Sequence, residues 1–405
     1  MKPLPPEWVF VMATALKNLD RGIVWLAVGQ TLVWAGLLYS FPALLLRWET
    51  DLEWSKPQLT GAITVALLCS AFCSPLAGRV IDRSRGPHLM AGCALIGGIA
   101  LFCLSFVQLL WQFYLVWAVI GATLAGCLYE PCFALITRAY GQSARQHILI
   151  VTLVAGFASS LCFPSAYWLT EHFGWRATVQ VFALVVVFAG APALWFGASR
   201  VESKAIAAQD TSVIQFRYAS QLLTPTFLGL SVSFALLAIV HGATIHHLLH
   251  ILSDRGLAAG VAVLIASFIG PMQVIGRLGI LAFSDRASNY SIAICCFIAM
   301  ALAIFLLMAV SRIAVLAIGF VVLFGAGYGM VSVVRPVVAR EVLGGDNFGL
   351  KSGLLALVYL FGSAIAPYLG SVIWTVGGYN LVLTVQIGLA IAGLLLFRVV
   401  YLHRR

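Results

Sequence analysis

Residues 111–137 read WQFYLVWAVIGATLAGCLYEPCFALIT, an apolar run whose one charge, Glu130, stands beside Pro131. Half a chain later, residues 313–339 read IAVLAIGFVVLFGAGYGMVSVVRPVVA, again apolar, with Arg335 beside Pro336. Both runs exceed the ~20 residues that a helix needs to cross a bilayer. A charge inside hydrocarbon costs about 2.5–3.5 kcal/mol on insertion scales, so it survives where it faces a bundle interior, a partner or water. An acid and a base at matching points of two similar halves predict a polar centre around which a solute is moved.

The rest of the chain agrees with these two runs. Hydrophobic residues make up 62% of the 405 and charged residues only 9%, and the mean hydropathy is +1.01. A soluble chain carries roughly a quarter charged residues, so composition predicts a polytopic membrane protein. The runs are continuous rather than alternating, which predicts helices and excludes a β-barrel. The formal charge of +10 comes from basic residues scattered between spans, with no dense run that would hold nucleic acid. Nine cysteines, all within apolar runs, read as small packing residues. Prolines 3, 5 and 6 break the stretch before Asp20, which shows no cleavable signal pattern, so the first span is expected to serve as an uncleaved anchor.

Apolar runs fall at 22–45, 58–80, 89–107, 111–137, 148–169 and 177–197, then at 222–251, 258–283, 291–310, 313–339, 352–376 and 381–400. The domain expectation is therefore a first six-helix bundle over 1–197, a linker over 198–220 and a second bundle over 221–405. Of the 24 Lys and Arg residues, Arg335 lies within a run, and only Arg47, Lys56, Arg176, Arg255 and Arg312 fall on the side opposite the N-terminus. The positive-inside bias then predicts both termini in the cytoplasm and an even number of spans, twelve. The halves look like copies: Asp82-Arg83 recurs as Asp285-Arg286, Glu130-Pro131 as Arg335-Pro336, and Pro164 with Gly174 as Pro367 with Gly377. An even number of spans separates the copies, so they are parallel repeats, which place substrate sites near the midplane.

The loop segment Gly78-Arg79-Val80-Ile81-Asp82-Arg83 resembles the first part of the signature of the major facilitator superfamily, although Ser84-Arg85-Gly86-Pro87 shifts the following Gly and basic positions by one. The resemblance covers essentially the whole chain. Tyr39-Ser40-Phe41-Pro42, Tyr129-Glu130-Pro131, Gly174-Trp175-Arg176-Ala177 and Gly270-Pro271-Met272-Gln273-Val274 are similar to a bacterial branch resembling monocarboxylate porters. The resemblance implies two pseudo-symmetric six-helix bundles that rock about a cavity lined by spans one, four, seven and ten. It implies a multi-pass monomer of the cell inner (plasma) membrane that moves a small organic solute, with protons as the coupling ion and no cofactor. The Pro-Gly-rich fifth-helix signature of drug–proton antiporters is not evident around 156–164, which leans against a drug or metabolite exporter, the competing reading. A receptor on the same scaffold would need a signalling domain. No nucleophile–base motif or phosphate loop points to an enzyme.

Arg335 offers a planar fork of donors suited to a carboxylate and stays charged when partly desolvated. Its alternative role is a permanent ion pair. Glu130 is the candidate proton-coupling carboxylate, because burial and a nearby cation shift its affinity for protons in opposite directions. Gln30 and Tyr39 on span one, Tyr129 beside Glu130, and Gln273 are expected to line the path or to join helices. Span seven carries His241, His246, His247 and His250, of which His247 is the candidate for the substrate path. A metal is not expected, since no acidic or thiol partner is spaced with these histidines. Gly78, Asp82, Arg83, Arg277, Asp285 and Arg286, at the inner span ends, form a candidate pair of conformational latches.

Overall fold

A computed structural model describes residues 20–207, 224–283, 287–311, 313–344 and 348–403. Every regular element among them is helical. In chain order these are α1 (Arg21–Leu52), α2 (Lys56–Asp82), α3 (Gly86–Leu104), α4 (Leu110–Cys127), α5 (Tyr129–Tyr140), α6 (Ala144–Ala155), α7 (Ala158–Val185), α8 (Ala191–Ala207), α9 (Pro225–Asp254), α10 (Ala259–Phe283), α11 (Asn289–Ala309), α12 (Leu316–Leu343) and α13 (Phe348–Leu402). Some starts carry polar caps, at Asp20, Thr224 and Ser288. The carboxylate of Asp20 accepts from the Gly22 N–H at 2.8 Å, and the hydroxyl of Thr224 accepts from the Phe227 N–H at 3.1 Å ahead of Pro225.

Ten helical stretches among the described residues are long and apolar enough to cross a membrane. The chain is a multi-pass membrane protein. Two of the ten, Gln146–Lys204 with 59 residues and Gly353–Leu402 with 50, are far longer than one crossing needs. Each is broken at glycine. Gly174 takes φ 77° and Gly378 takes φ 64°, conformations that a side chain would oppose. The helix that carries residues 191–197 runs on to Ala207, so the start of the segment read as a linker is helical; residues 208–223 lie outside the described residues.

The chain gathers into two compact units. Among the described residues the first holds Asp20 to Leu44 and Cys69 to the end of α8. In it α8 packs on α1 and α3, and α3 also lies against α4 and α7. Two π-helical stretches, Trp34–Tyr39 within α1 and Val186–Gly190 between α7 and α8, meet here: a β-carbon on Gly36 would come within 2.4 Å of Val186 Cγ2. Wide turns of this kind re-aim side chains and recur at functional places in helices.

The second unit holds Leu45–Leu68 together with the chain from α9 onward. Its strongest packing is α9 on α13, α12 on α10 and α11 on α12. The α10–α12 crossing is very close. A β-carbon on Gly329 would sit 2.1 Å from the Gln273 carbonyl oxygen, and one on Gly276 would sit 2.2 Å from that of Ala326. Small residues permit backbones to meet this way inside a bilayer, where packing rather than the hydrophobic effect joins helices.

Candidate functional site

In the first unit, Glu130 stands where helix four is interrupted. Leu128 takes an extended conformation, φ −88° and ψ −155°, between α4 and α5. Pro131 has no N–H to give the carbonyl of Cys127 one turn back. Gln30, fully buried on α1, supplies the missing donor: its Nε2 reaches the Cys127 oxygen at 2.8 Å and the Leu128 oxygen at 3.3 Å. Its Oε1 is buried without a hydrogen-bond partner among the described residues. Gln30 therefore holds the turn that presents Glu130. The carboxylate itself is exposed in the first turn of α5, where the helix dipole favours an anion.

Aromatic rings surround this turn. Tyr129 lies 4.8 Å from Trp34 and stacks on Phe133 at 4.9 Å, while Tyr39 lies 6.1 Å from both Trp34 and Phe163. Trp34 and Tyr39 are the first and last residues of the π-helical stretch in α1. Two irregular backbones thus come together at one place, and within a membrane such backbone is tolerated where protein or a cavity covers it.

In the second unit, Arg335 lies in the last third of α12 with its guanidinium carbon 3.9 Å from the ring centre of Tyr359 on α13. Tyr359 donates its hydroxyl proton to Tyr328 at 3.1 Å. Tyr328 is stacked 3.3 Å from His241 of α9, and His241 also lies 5.3 Å from Phe324. Arg335 Nη1 and His241 Nε2 are buried with no hydrogen-bond partner among the described residues. Two donor-capable groups on one aromatic scaffold thus remain unspent.

The other candidates have structural surroundings. Gln273 is buried in the close α10–α12 crossing. Arg277 is buried and gives its Nε proton to Ser332 Oγ at 3.3 Å, which ties α10 to the helix of Arg335. His247 is fully buried, within 2.9 Å of the Pro367 carbonyl at Nε2 and 3.3 Å of the Tyr379 hydroxyl at Nδ1. Of the span-seven histidines it is His241, in mid-helix, that meets the Arg335 scaffold. Mid-span position was the sequence signal for it, since His246, His247 and His250 all stand near the helix end.

At the loop between α2 and α3, Gly78 has open space beside it, and the side chains of Asp82 and Arg83 are exposed at the end of α2. The turn that follows is held by Arg138 of α5. This residue bonds the Ile81 carbonyl through Nη1 and Ser84 Oγ through Nη2 at 3.0 Å, with Glu202 of α8 3.9 Å away. Arg138 lies two turns beyond Glu130 on the same short helix. Asp285 and Arg286 lie outside the described residues.

A family model described as Major Facilitator Superfamily matches residues 26–286. The chain belongs to the major facilitator superfamily. Solved structures of this fold are similar over nearly the full length. A bacterial homolog of the human lysosomal transporter Spinster, in an inward-facing and occupied conformation, aligns with a TM-score of 0.65 at 16% identity, covering 95% of this chain and 97% of that one. The nucleoside transporter NupG aligns with a TM-score of 0.65 at 14% identity, covering 95% and 99%. At these identities the likeness shows the fold alone. A comparison with curated proteins gave no significant match. This facilitator is a transporter rather than an enzyme.

Proposed function

We propose that this facilitator is a secondary active transporter that takes a small organic anion, of the monocarboxylate type, across the cell inner membrane by alternating access. The observation that carries this reading is Arg335. Its guanidinium is packed on Tyr359, and Nη1 has no acceptor among the described residues, inside a span. A buried cationic donor without an acceptor is costly, and a carboxylate arriving with the solute would complete it. His241 Nε2, on the same scaffold, is a second group able to bond the anion. Glu130, held at the turn by Gln30, is the carboxylate proposed to exchange a proton as the solute moves. The breaks at Gly174 and Gly377-Gly378 divide the two longest helical stretches, which supports twelve spans and, with the Lys and Arg bias, cytoplasmic termini.

The test is uptake of radiolabelled monocarboxylates into liposomes under an imposed proton gradient. Arg335→Ala removes a charge-assisted bond worth roughly 1.5–3 kcal/mol, so uptake at low substrate should fall about tenfold to a hundredfold. Glu130→Gln should abolish the effect of the gradient while leaving exchange of substrate across the membrane. Equal gradient-driven uptake by wild type and both variants would remove the reading.

A further inference from the structure

The segment Leu45–Leu68, which turns from α1 into α2, is gripped by a buried polar cluster of the second unit. Lys56 Nζ sits 3.0 Å from Glu49 Oε1 and 3.6 Å above the ring centre of Trp374 on α13. The other carboxylate oxygen of Glu49, Oε2, lies 2.7 Å from His250 Nε2, and Thr60 Oγ1 lies 2.6 Å from Ser371 Oγ. Only 3% of the His250 side chain is exposed, and its Nδ1 has no partner among the described residues.

These contacts fix the chemistry. Lys56 keeps Glu49 ionised, and an ionised carboxylate needs a proton from Nε2, so the resting ring is the neutral Nε2–H tautomer with a bare Nδ1. The cluster is then neutral: one ammonium, one carboxylate, one imidazole. A proton from the aqueous phase adds to Nδ1, the Nε2–H bond to Glu49 remains, and the cluster carries one net positive charge. The new N–H has no acceptor while the segment stays closed, and a buried unsatisfied charge is far costlier than a solvated one. The remaining neighbours do not offset it. On α9 these are His246 and His247, with Asp254 exposed one turn on; on α13 the neighbour is Tyr379; Arg47 and Asp51 pair with each other at 3.0 Å.

We propose that the Glu49–His250 pair is a proton-binding site whose loading releases the 45–68 segment from α9 and α13. The site shares no residue with Arg335 or Glu130, so it stands or falls separately from the anion reading. The experiment places cysteines at Thr60 and Ser371 and a protease site between residues 207 and 224, so that a disulfide keeps the cleaved halves joined. Single-cysteine variants control for the native thiols. Rates of cross-linking are divided by those of the same pair in His250→Gln, which cancels thiol ionisation. The ratio should fall about fivefold between about pH 8 and pH 5, as the imidazole loads. In Glu49→Gln the neutral ring still has an oxygen to donate to but loses the anion that favours its charge, so the closed state takes the proton less readily still, and the same ratio against Glu49→Gln/His250→Gln should fall at least as steeply. A wild-type ratio that is constant with pH overturns the proposal, as does a fall that becomes shallower or disappears without Glu49.

Discussion

Gln30 gives the carbonyl of Cys127, at 2.8 Å, the hydrogen bond that Pro131 cannot. One buried amide therefore stabilises the interruption of helix four, and the interruption is what sets Glu130 at the head of a new helix. Replacing Gln30 with Leu leaves that carbonyl buried and unsatisfied, at about 1–3 kcal/mol. In the Pro131→Ala background the backbone N–H of residue 131 is restored, so the same Gln30→Leu change should cost much less. Thermal unfolding of the four proteins in detergent closes this cycle. Additive effects of the two changes would show that Gln30 does not act through the break.

The pairing of Arg335 with Tyr359 makes a sharper demand than charge alone. Lysine keeps the positive charge but loses the planar fork and the flat face that lies 3.9 Å from the ring. Arg335→Lys should therefore resemble Arg335→Ala in carboxylate affinity, with a loss of about tenfold or more. Tyr359→Phe retains the ring and should keep most of the affinity. Binding measured by ligand-induced thermal shift separates these cases, because only ligands bound to the native state raise the melting temperature. Full activity of the lysine variant would mean that Arg335 supplies charge and no geometry.

The spans were legible because hydrocarbon selects composition over long windows, and the two intramembrane charges stood out for the same reason. Gly174 and Gly377 were legible as repeat markers, although that they mark breaks depends on backbone angles. What sequence did not reveal depends on contacts between distant residues. Glu49 and Lys56 look like ordinary span-end charges until His250, 201 positions from Glu49, is seen to meet them. Gln30 read as lining the path or joining helices, because nothing local links it to one particular carbonyl 97 residues away. Helical spacing grouped His246, His247 and His250 on neighbouring faces, but it does not say which face meets the Tyr328–Tyr359 scaffold of Arg335, and that contact belongs to His241.

The α10–α12 crossing should be intolerant of a single methyl group. A β-carbon at position 276 or 329 meets main-chain atoms at 2.2 and 2.1 Å, and backbone cannot step aside as a flexible side chain can. Gly276→Ala and Gly329→Ala should each destabilise by about 1–3 kcal/mol through overpacking. Gly388→Ala, in α13 with open space around it, is the control and should be neutral or stabilising by up to about 1 kcal/mol from helix propensity. Because this crossing carries the helix of Arg335, the two destabilised variants should also bind carboxylate more weakly. Melting curves for the three proteins decide the matter, and equal melting temperatures would mean that the helices separate at little cost.

Asp20 gives the first unit a dependence on acid. Its carboxylate caps α1 through the Gly22 N–H and accepts from Tyr140 of α5 and Lys204 of α8, so one side chain joins three helices. Burial alone would push the carboxyl up, but the hydrogen bonds from Lys204, Tyr140 and Gly22 outweigh it and hold the group below its ordinary value. A carboxyl depressed by folding stabilises the native state fully above its unfolded value of about 4, and the stabilisation is lost as pH falls through the lower, folded value. Asparagine caps a helix nearly as well but carries no charge. Wild type should therefore melt above Asp20→Asn near neutral pH, with the two curves converging as acid is added. Lys204 is half exposed, so its share is screened by solvent, and high salt should narrow the gap further. Curves that run parallel from neutral to acid would show that the cap matters for its hydrogen bond alone, and that ionisation of Asp20 contributes nothing to holding α1, α5 and α8 together.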